Sequence, residues 1–330
     1  MTASLRPVSG TVDELVPLLR TWIEGDEPLW IRTSGSTGRP KDVVLSPSAV
    51  RASATATHAR LGGPGQWLLA VPPTGVAGLQ VVVRSLLTGI EPVTSIDAYS
   101  ADRRYASLVP TQLHRLLEAD RAGPWAELDA VLVGGGPVRP SLVERAEDAG
   151  LTVVRTYGMS ETCGGCVYDG FPLDGVRLRI DDGQVMVAGD VLFDGYLGAP
   201  RTDEWFATSD RGELVGGELR VLGRIDDVVL SGGVNVPLPA VTEALQDAAG
   251  VVDALAVGVD DEEWGQRVVA LVVPADAVCL DGLSAERLRD AVEAAGHPRT
   301  WGPREVVLVD AVPMLANGKP DRIAARALAT

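Results

Sequence analysis

The stretch Thr33-Ser-Gly-Ser-Thr-Gly-Arg-Pro-Lys41 gathers hydroxyls, two glycines and two cations within nine residues. Glycine lets a backbone approach a ligand and turn its N–H groups inward, hydroxyls add donors, and a lysine adds a compact charge. A polyphosphate needs that set, although the same composition also describes a Ser/Gly connector that holds nothing. A Walker-type phosphate loop is excluded, because Gly35 and Gly38 are too close together and Lys41 is followed by Asp42. Three further groupings carry possible chemistry. In Tyr157-Gly-Met-Ser-Glu161-Thr, Glu161 offers a carboxylate for Mg²⁺, Ser160 a donor and Tyr157 a flat ring. Thr208-Ser-Asp210 offers a carboxylate that can accept two ribose hydroxyls. Asn317-Gly-Lys319 offers a lysine near the C-terminus. Taken singly, each reads equally as a turn, a cap or a solvated charge.

These residues need elements to position them. Val12, Leu15, Val16, Leu19 and Ile23 recur at helical spacing, so the pattern predicts a helix over Thr11–Ile23. Strands are then expected at Trp67–Val71, Ala130–Val133 and Leu151–Val154, with helices at Leu79–Leu87, Leu108–Leu117 and Pro140–Ala149. That alternation predicts an α/β domain with buried parallel strands. Tyr157–Thr162 would then occupy a loop beyond a strand's C-terminal end, where open α/β sheets place ligands. Short runs at Val176–Ile180, Gln184–Val187 and Glu218–Leu222, separated by Gly and Asp, predict a β-rich subdomain. A new α+β pattern starts past Gly223-Arg-Ile-Asp226. It has helices near Pro239–Ala248 and Ala285–Ala295, and strands at Ala254–Val259, Arg267–Val273 and Glu305–Val309.

Composition narrows the class. The 330 residues suit about two domains. With 45 acidic against 29 basic residues the net charge is −16, which repels nucleic acid and anionic lipid. A polyanionic ligand must therefore be met by local donors. The three cysteines are too few for a disulfide framework, and no apolar run has the length of a membrane span. Without the pattern of a secretory leader at its start, the sequence reads as a cytoplasmic protein with no stable membrane contact. Cys163-Gly-Gly-Cys166 lacks the second pair of a zinc site. His58 and His114 read as helix-surface or pocket-lining residues.

The order and co-occurrence of the four groupings resemble the adenylate-forming superfamily of acyl- and aryl-CoA ligases, luciferases and peptide-synthetase adenylation domains. Thr33–Lys41 is similar to its phosphate loop, Tyr157–Thr162 to its YGxTE element and Thr208–Asp210 to its ribose-binding TGD. Gly223–Asp226 is similar to its GRxD hinge, Asn317–Lys319 to its C-terminal GK motif, and Gly134–Pro137 to its adenine-side glycines. Val76-Ala-Gly-Leu-Gln80 and the run Tyr157–Gly170 resemble the branch of o-succinylbenzoate–CoA ligases of menaquinone biosynthesis, in its short, actinobacterial form. The chain departs from the family at Ser160 and Ser209, and at Pro73-Thr-Gly-Val76, where an aromatic or histidine gate is usual.

The resemblance implies a large N-terminal domain (residues 1–223) of mixed sheets with helices and a β-rich subdomain. A hinge (224–226) and a small mobile α+β lid (227–330) would follow. It implies ATP and Mg²⁺, a small-molecule carboxylate, and coenzyme A as the acceptor; a homodimer is left open. Thr33, Ser34, Gly35, Ser36, Thr37, Gly38 and Lys41 would embrace the outer phosphates, and Glu161 would hold Mg²⁺. Gly135, Gly136, Tyr157, Gly158 and Ser160 would flank the nucleotide, with Asp210 and Arg224 on the ribose. Lys319 would neutralise charge developing between carboxylate and adenylate. Asp226 would be the hinge, and Ser231, Gly232 and Gly233 would border the thiol tunnel. Gly78, Gly164 and Gly165 would shape the acyl pocket, with Arg84 meeting a second carboxylate; the bland alternative is that Arg84 snorkels or pairs structurally. Ligases for another aryl or keto acid, or for a carrier protein or amine, and a nucleotide-binding pseudoenzyme, remain as alternatives.

Overall fold

Apolar strands separated by helical segments can bury both faces only in a parallel sheet with helices packed on it. The computed structural model of the chain describes residues 6–33, 40–275, 283–315 and 320–330. It divides into two compact units. The first comprises Met1–Arg179, Met186–Ala207 and Leu214–Arg220; the second comprises Ile180–Val185, Thr208–Glu213 and Val221–Thr330.

The chain begins with β1 (Arg6–Pro7), α1 (Val12–Trp22), β2 (Leu29–Thr33), β3 (Lys41–Leu45) and α2 (Pro47–Arg60). Next come β4 (Gln66–Leu68), α3 (Val76–Leu86), β5 (Arg104–Leu108), α4 (Pro110–Glu118), β6 (Ala130–Gly134), α5 (Pro140–Asp148), β7 (Val153–Met159), β8 (Gly164–Tyr168) and β9 (Phe171–Pro172). Strands β4 to β9 form one sheet in chain order. Pairing is parallel from β4 to β7 and antiparallel from β7 to β9. Leu68, Ala106, Val131 and Val133 of its strands pack with Leu113, Leu142 and Ala146 of α4 and α5.

One expectation changes here. The strand predicted at Leu151–Val154 starts at Val153 and continues to Met159, so Tyr157 and Gly158 lie within it rather than in a loop. The cause is β8, whose antiparallel pairing (Thr156↔Tyr168, Tyr157↔Val167) supplies hydrogen-bond partners for the extra residues.

The predicted β-rich subdomain is a four-stranded sheet made of β10 (Arg177–Asp181), β11 (Gln184–Ala188), β14 (Phe206–Val215) and β15 (Glu218–Arg224). Between these, β12 (Gly195–Tyr196) and β13 (Ala199–Pro200) join β1, β2 and β3 in a five-stranded sheet.

The second unit continues with β16 (Val228–Ser231), β17 (Val234–Pro237), α6 (Leu238–Gln246), β18 (Val251–Asp261) and β19 (Gly265–Pro274). It ends with α7 (Ala285–Ala294), β20 (Glu305–Leu308) and α8 (Arg322–Leu328). Strand side chains alternate faces. Accordingly Ala254, Ala256, Ala270 and Val272 face Leu245, Leu288 and Val292. Leu255, Val257, Val269 and Leu271 face Ala325 and Ala329 on the other side. Covering both faces explains why β18 and β19 read as continuous apolar runs. Among the described residues no helix is long and apolar enough to cross a membrane.

Candidate active site

The phosphate-loop motif connects β2 to β3, and its two feet are paired. Thr33 lies opposite Lys41 in the antiparallel ladder, and Thr33 Oγ1 donates to Lys41 O at 3.2 Å. Ser34, Gly35, Ser36, Thr37 and Gly38 lie outside the described residues. β12 pairs with β3 so that Tyr196 faces Val43, which puts Lys41 diagonally beside it on one face. The Lys41 ammonium sits 5.0 Å from the centroid of the Tyr196 ring, and Tyr196 Oη donates to Glu161 Oε1 at 3.0 Å. Burial and the adjacent Glu161 carboxylate both push the Tyr196 phenol above its ordinary range, so it stays a donor. The structure thus brings Lys41 and Glu161 together through a tyrosine to which sequence reasoning assigned no role.

Glu161 stands in a short helical turn, Ser160–Thr162, held from several sides. Phe193 N donates to Glu161 O at 2.9 Å, and Thr162 Oγ1 accepts from Met159 N at 2.9 Å. Cys163 O, just beyond, receives Gln80 Nε2 at 2.7 Å and Ser53 Oγ at 3.2 Å. Gly158 is demanded by contact: a Cβ there would stand 2.1 Å from Gly164 O. Gly135 and Gly136 follow β6 directly, and Gly134 is in register with Thr156, so these glycines and Tyr157 share the C-terminal edge of the parallel strands. Cys163 and Cys166 are both buried and form no disulfide with each other.

α3 carries the acid-side candidates. Val81, Val82 and Val83 are fully buried, and a helix apolar around its whole girth must be enclosed. Arg84 goes inside with them and is only 3% exposed, so it does not snorkel. It has no carboxylate partner among the described residues. Its guanidinium stands 4.8 Å from the Trp67 ring centroid, and Nη2 donates to Tyr168 Oη at 3.3 Å. Arg84 Nε has no partner, nor does Gln80 Oε1 one helical turn earlier. Burial pulls the guanidinium down from its ordinary range, yet arginine remains charged. His58 is 8% exposed, so of its two sequence readings the helix-surface one does not hold. Burial, aided by Arg84, lowers it to about 4, and its neutral Nε2 accepts from Trp67 Nε1 at 3.4 Å. Gly164 lies against this helix, since a Cβ there would reach Gln80 Cγ at 3.3 Å. A Cβ on Gly165 would reach Tyr168 Cε1 at 2.8 Å, and one on Gly78 would meet Pro72 O at 2.2 Å.

In the second unit Asp210 is 9% exposed, and its Oδ1 lies 3.9 Å from Arg224 Nη1. Thr208 Oγ1 receives Asp210 N at 3.1 Å and donates to Val185 O at 2.9 Å. Asp226 belongs to the turn Ile225–Asp227. Its buried neighbour Asp227 pairs with Arg322 Nη2 at 2.7 Å. Ser231 is buried, and Gly232-Gly233 form the two-residue turn of the β16–β17 hairpin, both with positive φ. That turn type requires φ > 0 at both positions. Lys319 lies outside the described residues, which on either side of it are joined by a Met314↔Pro320 bridge and by Asp321 N donating to Pro313 O at 2.8 Å.

No group of three His, Cys, Asp or Glu side chains gathers as a metal cage among the described residues. Mg²⁺ that arrives on a nucleotide needs none, because one or two carboxylates plus phosphates complete its shell. A half-buried Glu161, linked to Lys41 through Tyr196, fits that chemistry.

Residues 21–197 match the model of the AMP-binding enzyme family, and residues 240–319 that of the AMP-binding enzyme C-terminal domain. The chain is 44% identical over 326 residues to a probable 2-succinylbenzoate–CoA ligase of Mycobacterium tuberculosis, covering 92% of this chain and 84% of that one. It also resembles the solved o-succinylbenzoate CoA synthetase of Bacillus subtilis in complex with the acyl-adenylate intermediate OSB-AMP. There the TM-score is 0.78 at 26% identity, over 90% of this chain and 68% of that one. The same synthetase with ATP and a magnesium ion gives a TM-score of 0.76 at 26% identity, over 89% and 69%.

Proposed function

We infer the activity of this chain from one premise: it belongs to the AMP-binding enzyme family. It is an ATP-dependent, AMP-forming acid–CoA ligase that converts o-succinylbenzoate to o-succinylbenzoyl-CoA in menaquinone biosynthesis. A carboxylate oxygen attacks the α-phosphorus of ATP, and the bond to the bridging oxygen breaks, giving acyl-adenylate and pyrophosphate. The thiol of coenzyme A then attacks the acyl carbon and AMP leaves.

The roles of individual residues belong to the same proposal. Lys41 and the hydroxyls of Thr33, Ser34, Ser36 and Thr37 hold the outer phosphates; positioning and electrostatics are most of what phosphoryl chemistry asks of a protein. Glu161 would hold a nucleotide-borne Mg²⁺, which would supply positive charge against the phosphates. Tyr157, Gly135 and Gly136 flank adenine, and Asp210 with Arg224 holds the ribose. Lys319 stabilises charge in the adenylation transition state. Asp226 serves as hinge for a C-terminal domain that then presents Ser231, Gly232 and Gly233 to the thiol.

The observation that carries the choice of acid is Arg84, a buried guanidinium whose Nε has no partner and which has no acidic partner among the described residues. An isolated buried charge is costly, and a substrate bearing a second carboxylate supplies what it lacks. The test is to incubate the protein with MgATP, coenzyme A and a panel of carboxylates and to weigh the products. We expect a thioester from o-succinylbenzoate. If another acid reacts and this one does not, the substrate is wrong while the reaction class stands.

A further inference from the structure

Around Arg84 the hydrogen bonds run in only one direction. Thr57 Oγ1 has a single proton, and it points to Ser53 O at 2.9 Å, a carbonyl that can only accept. Toward Tyr168 Oη, 2.9 Å away, Thr57 must therefore be the acceptor. The single phenolic proton of Tyr168 is thereby committed to Thr57. What Tyr168 has left for Arg84 Nη2 is a lone pair, at 3.3 Å. The chain Arg84 → Tyr168 → Thr57 → Ser53 O closes without a surplus donor, and all of its members are buried. Below the guanidinium, the Trp67 ring is held by His58 Nε2. One terminal nitrogen of the guanidinium is thus fixed by a hydroxyl that cannot reverse, while Nε is buried without a partner.

We propose that Tyr168 and Thr57 are positioning residues that set the selectivity of this enzyme for dicarboxylic acids, by holding Arg84 with its Nε edge turned to the second carboxylate. The inference rests on the reading of Arg84 given above. Tyr168 contributes nothing to the carboxylate that is activated; it acts through Arg84 on the carboxylate that is not.

The test compares kcat/KM for o-succinylbenzoate with that for 4-oxo-4-phenylbutanoate, the same acid without its ring carboxylate. Tyr168→Phe removes the hydroxyl and keeps the ring. A hydrogen bond to a charged group is worth about ten- to a hundredfold in an equilibrium. We expect Tyr168→Phe to lower kcat/KM for the dicarboxylate by about tenfold or more, chiefly through KM, and to leave the monoacid within about twofold of wild type. Thr57→Val should shift the ratio in the same direction and Thr57→Ser should restore it; this pair carries the test if Tyr168→Phe does not fold. Equal losses for both acids, or an unchanged ratio, would overturn the proposal, because a merely structural role cannot tell the two acids apart. Arg84→Met is the control. If it keeps the preference for the dicarboxylate, the reading of Arg84 is at fault. If it abolishes the preference while Tyr168→Phe retains it, the function stands and this inference falls.

Discussion

Tyr196 meets two opposite charges with two parts of one side chain: its ring face lies near the Lys41 ammonium and its hydroxyl donates to Glu161. Tyr196→Phe keeps the face and deletes the donor, freeing Glu161 to turn. We expect KM for MgATP to rise by about three- to tenfold, the loss of a hydrogen bond to a charge that water partly replaces, with KM for the acid unchanged. Initial-rate kinetics with each substrate varied would show it, and an equal rise in both KM values would refute it. His58 gives a pH signature. Unfolded, it keeps its ordinary value of 6.5; folded, burial and the nearby Arg84 lower it to about 4. Between those values the unfolded chain binds the extra proton, so this group's contribution to stability declines as pH falls from about 6.5 towards 4, and levels off below. Comparing thermal unfolding of wild type and His58→Gln across that range should show the wild type losing more; parallel curves would reject it. At this scale the sequence singled out Lys41 and Glu161 through their motifs, and the structure links them through Tyr196. The sequence was silent on Tyr196, Tyr168 and Thr57, whose tasks exist only through distant partners.

Among elements, the β16–β17 hairpin illustrates how glycines with one reading can have another cause. Sequence reasoning gave Gly232 and Gly233 to the passage of a pantetheine arm. The backbone shows that the turn itself requires both, and that they are not equivalent. A Cβ on Gly232 would fall 2.4 Å from Trp264 Cε3, whereas one on Gly233 would meet nothing within 4 Å. Gly233→Ala should therefore cost about 1–2 kcal/mol, the penalty of a left-handed L-residue. Gly232→Ala should add overpacking of about 1–3 kcal/mol. Denaturant unfolding of the two variants checks the order, and equal losses would contradict it. The alternation of strands and helices was readable because period and turn residues are local. The extension of β7 to Met159 was not, because it depends on a partner strand that local patterns do not announce.

For the whole molecule, the proposed scheme gives the two reaction steps different residues. Lys319 serves only the first step in the proposed scheme. Lys319→Ala should therefore lose pyrophosphate exchange while still converting supplied acyl-adenylate to thioester; an equal loss of both would sink the alternation of domains. The formal charge of −16 adds that every anionic substrate is held against a repelling background, by donors concentrated in a few places.

The buried guanidinium on α3 also bears on the stability of the fold as a whole. On the proposed role of Arg84, an enzyme that keeps a charge in its interior without an opposite charge is less stable empty than it need be, a deficit tolerated because activity depends on it. Replacing a buried ionic group by an apolar one of similar volume is often stabilising by about 1–4 kcal/mol. Tyr168 would keep its own proton bound to Thr57 after such a change. Calorimetry of Arg84→Met should therefore show a higher Tm than wild type in a protein that has lost its preferred acid. A lower Tm would mean that Trp67 and Tyr168 already compensate the charge. The same reasoning makes the substrate a part of the native core: o-succinylbenzoate should raise the Tm of the wild type and leave that of Arg84→Met nearly unmoved.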